Sequence, residues 1–138
     1  MTIEAQGRKV INPPTAIGSR NPLIEQWIIE TCTKCGYPGL AERLSYEISN
    51  DPFFDDHGGY ATTFWGENGQ VARGVLQFSR VYWMLPRQLN AYRKNLVIHE
   101  TCHIVANSIA GRDVQHEVPW RQMMALCGQP SWTNVFTP

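Results

Sequence analysis

Residues 95–111 read NLVIHETCHIVANSIAG, and this stretch decides the fold. Ile98, Cys102, Val105 and Ile109 recur every three or four residues, the period of a helix with one apolar stripe. Val97 and Ile104 extend the apolar surface on the far side, and Ala106 and Ala110 keep the histidine side slim enough for another element to approach. The spacing predicts a long helix from about Asn90 to Ala110, ended by Gly111. A helix apolar nearly all round belongs at the centre of a domain. Its polar window is formed by His99, Glu100 and His103, with the histidines roughly 110° from the stripe.

His99-Glu100-Thr101-Cys102-His103 is an H-E-x-x-H motif. Residues i and i+4 share a helix face, so two imidazoles can grip one ion. Glu100 sits about 100° round the helix from His99, placed to act as general base on a water held by that ion. Zinc suits such a set, because it takes three protein ligands and keeps a fourth position open. The third ligand has to come from outside the helix. His116 is the candidate, since a chain reversing after Gly111 brings it back over the histidine face. Glu117 is the runner-up, and Asp113 follows it.

Outward from this helix, Asn21-Pro22 starts an earlier one carrying Leu23, Ile24, Trp27 and Ile28, with Gly36 as its C-cap. Leu40, Leu44 and Ile48 recur every four residues and predict a second helix over 39–49. Tyr60–Trp65 and Val71–Phe78 read as two strands joined by a Gly66-Glu67-Asn68-Gly69 turn. On the second strand, Ala72, Leu76 and Phe78 are expected on one face, with Val71, Val75 and Gln77 on the other. Tyr82–Pro86 is an apolar connector, and a last helix runs from Pro119 to Gly128. The expected organisation is an extended arm over 1–20, a domain over 21–128 and an irregular tail over 129–138.

These residues resemble the SprT-like zinc metallopeptidases, the group that includes Spartan. That family's pattern is H-E-x-x-H, a loop, then a third His followed four residues on by an aromatic in a helix ending in Met. His99, Glu100 and His103 match its first part, His116 the third ligand, Trp120 the aromatic and Met123-Met124 the helix. Val71–Ser79 followed by Tyr82–Leu85 looks like its final strand and connector, and Phe53-Phe54 matches an early aromatic pair. The similarity covers residues 40–127 and is specific over 95–124. The chain departs from the pattern at Glu117, where the family usually has Gly, and at Pro119, where an acidic residue is common. The resemblance implies a zincin-like α+β domain, with a central H-E-x-x-H helix packed on a small β-sheet and helices N-terminal to it. It also implies a zinc endopeptidase acting on protein or peptide substrates, DNA-associated proteins and DNA–protein crosslink repair included. Metzincins are excluded, because no Gly and His follow His103 at their spacing.

Other features are weighed on their own chemistry. Cys32-Thr33-Lys34-Cys35 is a lone C-x-x-C, with only Cys102 and Cys127 left to complete a zinc ribbon, and it reads as structural. Arg73, Arg80, Arg87, Arg93 and Lys94 surround Tyr82 and Trp83, a local basic patch able to touch a nucleic-acid backbone. Asp55, Asp56 and His57 read as a polar turn. Val71–Ser79 is expected to be an edge strand beside the metal, free to pair with a substrate peptide. No motif marks an oxyanion stabiliser, for which Tyr82, Arg112 and Arg121 are the candidates.

The chain has 138 residues, 43% hydrophobic and 17% charged, which suits one domain with its own core. Twelve basic and twelve acidic residues cancel, which excludes a globally basic nucleic-acid binder. There is no apolar run long enough to span a membrane and no secretory leader, so a cytoplasmic protein without membrane contact is expected. The reading is a zinc-dependent endopeptidase with His99, His103 and His116 on one Zn2+ and Glu100 as catalytic base. The alternatives are a zinc-stabilised binding or regulatory module that cleaves nothing, and a nucleic-acid accessory protein with an incidental motif.

Overall fold

The structure is a computed structural model that describes residues 21–52, 58–84 and 90–131. Asn21 caps the first helix, α1 (Pro22–Lys34), its side-chain oxygen accepting from the Leu23 and Ile24 amides at 3.1 Å each. Ile24, Trp27 and Ile28 are buried, as their spacing requires, while Leu23 faces outward. Gly36, at φ 87°, turns the chain beyond the helix in the left-handed conformation that glycine adopts without steric cost.

The helix expected over 39–49 does not form. Pro38–Arg43 is a 3₁₀ turn, and Leu44–Ser49 is a strand, β1. An apolar residue every fourth position fits a period of two as well as one of 3.6. Leu44, Tyr46 and Ile48 alternate with Ser45, Glu47 and Ser49, so the extended chain wins. Tyr46 then ties β1 to α1: its hydroxyl donates to Glu25 at 2.6 Å and accepts from the Asn21 amide at 2.7 Å.

β2 (Gly59–Trp65) and β3 (Val71–Ser79) form the expected hairpin, closed by a Gly66 amide to Gln70 carbonyl bond of 2.7 Å. A bulge opposite Phe64 and Trp65 shifts the register, so Trp65 pairs with Val71. Val71 is therefore buried and Ala72 exposed, the reverse of a regular alternation. The sheet order is β1-β3-β2, with β1 parallel and β2 antiparallel to β3. This corrects the expectation that Val71–Ser79 lies at an edge: β3 is paired on both sides and cannot accept a peptide. β1 and β2 are the outer strands.

Ser79 caps one helical turn, α2 (Arg80–Trp83), where the sequence reads as a plain connector. The long helix α3 spans Asn90–Ala110 and stops at Gly111, as its pattern predicts. It packs on β2 and β3 and also on α1 and α4 (Val118–Leu126). Gly74 permits the close approach to the sheet: a Cβ there would meet Leu44 at 2.7 Å and Ile104 at 3.1 Å. Leu96 through Cys102 and Ile104 through Asn107 are buried, whereas Ile109 is 47% exposed because the helix has run past the layer that covers it.

The architecture is α+β, a single small domain with a three-stranded sheet. Among the described residues, no helix is long and apolar enough to cross a membrane. Residues 1–20, Phe53-Phe54, Asp55, Asp56 and His57, Leu85–Arg87 and most of the expected tail lie outside the described residues.

Candidate metal centre

His99 and His103 stand one turn apart on α3, ring centroids 5.0 Å apart. His116 approaches both, at 5.1 Å from His99 and 4.8 Å from His103. One ring nitrogen from each of the three lies within 4.8 Å of the others, a group able to hold a metal ion. The His99 and His116 Nε2 atoms are 3.2 Å apart. Ligand bonds of about 2.0–2.1 Å in a tetrahedron place two nitrogens roughly 3.3–3.4 Å apart, so this edge fits a zinc-sized ion.

Local backbone chemistry delivers His116. Gly111 ends α3, and the Asp113 carboxylate accepts from the Gln115 amide at 3.0 Å, making a tight polar turn. Gln115 adopts φ 51°, an uncommon conformation for a residue with a side chain. Asn107 anchors the same loop, accepting from the Val114 amide at 2.8 Å and donating to Thr63 of β2 at 2.9 Å. Arg121 donates to the His116 carbonyl at 2.9 Å.

Trp120 joins the set. It is fully buried, stacks on His103 at 5.3 Å and 18°, and meets His99 and His116 edge-on at 4.7 Å each. Its Nε1–H donates to the His99 carbonyl at 3.1 Å. One rigid side chain thus sets all three rings. Pro119 in the first turn of α4 starts the helix that presents it.

Glu100 is buried beside the cluster, its Oε2 3.9 Å from His99 Nε2. The start of β2 lies directly over it. A Cβ on Gly59 would sit 3.1 Å from Glu100 Oε2 and 2.8 Å from the Gln77 carbonyl. Only glycine leaves room for the carboxylate there. Glu117 and Asp113 do not join the cluster: Glu117 pairs with exposed Arg112 at 3.0 Å, and Asp113 closes its turn.

The electrostatics match a cation site. Burial, followed by the neighbouring His116, lowers His103 to about 4, and burial lowers His116 below the usual imidazole value. Neutral imidazoles are the form that binds metal. Burial pushes Glu100 up to about 8. A pKa raised above the unfolded value near 4.5 means that folding retains a proton the unfolded chain releases, so stability falls as pH rises from about 4.5 to 8. Metal-free Glu100→Gln is therefore expected to be more stable than metal-free wild type by on the order of 3 kcal/mol at pH 7. Denaturant unfolding in a chelator should show the two converging near pH 4.5. Equal stability at pH 7 would mean that the carboxylate is not held out of solvent.

Three elements of the site carry no recognisable sequence signal: Asn107, the left-handed Gln115 and Gly59. In sequence, Cys32 and Cys35, with Cys102 and Cys127, read as structural or incidental, yet a second cluster forms from three of these residues. Cys35, Cys102 and Cys127 bring their sulfurs within 4.8 Å of one another, so the C-x-x-C is not isolated. The three thiols hydrogen-bond one another: donation from Cys102 and Cys35 lowers Cys127, and the shared contacts push Cys102 up. The basic patch loses its stacking platform, because Tyr82 and Trp83 are buried and Arg93 is spent on the Trp83 carbonyl at 2.9 Å. Of the oxyanion candidates, Arg121 holds the His116 carbonyl and Arg112 holds Glu117.

Comparison with protein-family profiles, with curated proteins and with solved structures returns no match for this chain.

Proposed function

We propose that the chain is a zinc-dependent endopeptidase of the zincin type, similar to the SprT-like metallopeptidases. The convergence of His99, His103 and His116 beside the buried carboxyl of Glu100 carries this reading. Zinc held by the three imidazoles would supply a Lewis acid for the scissile carbonyl and a more acidic water. Glu100 takes the proton from the attacking water and delivers it to the leaving amine.

The sheet supports a placement for an extended substrate. β2 is an outer strand that begins over Glu100 and is tied by Thr63 to Asn107 on α3. An extended peptide can add to the edge that is unpaired among the described residues, through main-chain hydrogen bonds. His116 is the most exposed of the three histidines, and a groove lined by Arg112, Gln115, Glu117, Pro119 and Arg121 opens beside it. This favours an unfolded or extended protein substrate. With Tyr82 and Trp83 buried, DNA-bound proteins are one substrate class to test rather than a premise.

The purified chain is expected to cut an unfolded protein, to stop when chelated and to recover when zinc is restored. His116→Ala should lose one zinc per chain and bind it tenfold or more weakly, measured by metal analysis after dialysis against a chelator. Unchanged metal content would remove His116 from the ligand set. Intact metal with no cleavage of unfolded, peptide or DNA-bound substrates would establish the binding or regulatory module instead.

A further inference from the structure

The proposed reaction uses none of the four cysteines, yet all four are buried free thiols in one region. Cys35 is the C-cap of α1, Cys127 the C-cap of α4, and Cys102 lies in the middle of α3. Residues far apart in the chain thus point their sulfurs at one another. The Cys35 and Cys127 Sγ atoms are 3.7 Å apart, and all three sulfurs fall within 4.8 Å of each other. Zinc–thiolate bonds of about 2.3 Å in a tetrahedron put sulfurs roughly 3.8 Å apart, close to the observed edge. A disulfide needs about 2.05 Å between two sulfurs and would leave the third thiol idle. Cys32 lies one turn before Cys35, at the C-x2-C spacing of paired thiolate ligands, and is fully buried.

We infer that Cys35, Cys102 and Cys127, with Cys32 beside them, form a second metal site that takes a thiophilic ion, zinc foremost. The ion clamps the ends of α1 and α4 to the middle of α3. Its task is structural: the converging thiols are buried away from solvent, and α3 is the helix that carries His99, Glu100 and His103. Cys102 stands about 80° round α3 from the histidines, so the two ions do not share ligands. The site does not depend on the proposed peptidase activity.

Cobalt(II) titration of the full-length chain under a reductant tests the assignment. Two ions per chain are expected, one of them giving the intense near-ultraviolet thiolate-to-cobalt charge-transfer absorption that imidazoles do not produce. His116→Ala should keep that absorption, and Cys127→Ser should lose it together with one ion per chain. Cobalt uptake by the wild type without the absorption overturns the proposal, and this reading needs no variant to fold. Persistence of the absorption in both Cys127→Ser and Cys35→Ser also overturns it. So does an intact mass lower by a pair of hydrogens in protein purified without reductant, the mark of a disulfide.

Discussion

Glu100→Gln is expected to slow cleavage of an unfolded protein by about a hundred- to ten-thousand-fold while leaving the metal content unchanged. The amide has the size of the carboxyl, so the tight fit under Gly59 is kept. Glu100 is not one of the three converging side chains, so the ligand set is untouched. What disappears is the only buried carboxylate next to the cluster among the described residues, the group proposed to accept and return a proton. Single-turnover cleavage assays paired with metal analysis separate these effects. Cleavage at the wild-type rate by Glu100→Gln would end the catalytic assignment, even with zinc in place.

Trp120→Ala is expected to cost about 3–5 kcal/mol of stability, the usual range for emptying a buried aromatic site. For a domain of this size that lowers Tm by about 10–20 °C. The loss reaches the histidines, because Trp120 touches all three rings and holds the His99 carbonyl. Zinc affinity should fall with stability. Trp120→Phe separates the two contributions. It keeps an aromatic face against His103 and loses the indole N–H, leaving the buried His99 carbonyl without that donor at a cost of about 1–3 kcal/mol. Calorimetry of both variants, with and without zinc, checks this. Should Trp120→Ala bind zinc as tightly as wild type, the rings are set by the helix and loop alone.

Much of the site is legible in the sequence because its determinants are local. The H-E-x-x-H spacing, the apolar period and the Gly111 stop fix α3 to its observed ends, and a short loop limits where His116 can go. Features set by distant pairing are not legible. Leu40, Leu44 and Ile48 satisfy a helical period, yet Leu44–Ser49 is a strand because β3 offers it a parallel partner, and that partner is invisible in a window around residue 44. The same pairing turns β3 from an expected edge into the middle strand. Cys102 reads as part of the apolar stripe, and it is buried as such. Only the packing of α1 and α4 on α3 shows that this stripe faces two other thiols. Asn107 looks like an ordinary polar residue near a helix end until the loop and β2 both bond to it.

The parallel pairing of Leu44–Ser49 with Gly74–Ser79 also bears on how the molecule is made. The hairpin can zip soon after its turn is synthesised, but the first strand must wait for a partner that emerges much later. Assembly of the whole sheet is therefore slower than that of the hairpin, since a long intervening segment must be closed. Until then, the middle strand exposes an unpaired edge, and this is the stage most prone to sticking to another copy. Truncations that start beyond residue 49 would make that vulnerability permanent, and low solubility is the outcome to plan for when cutting the gene.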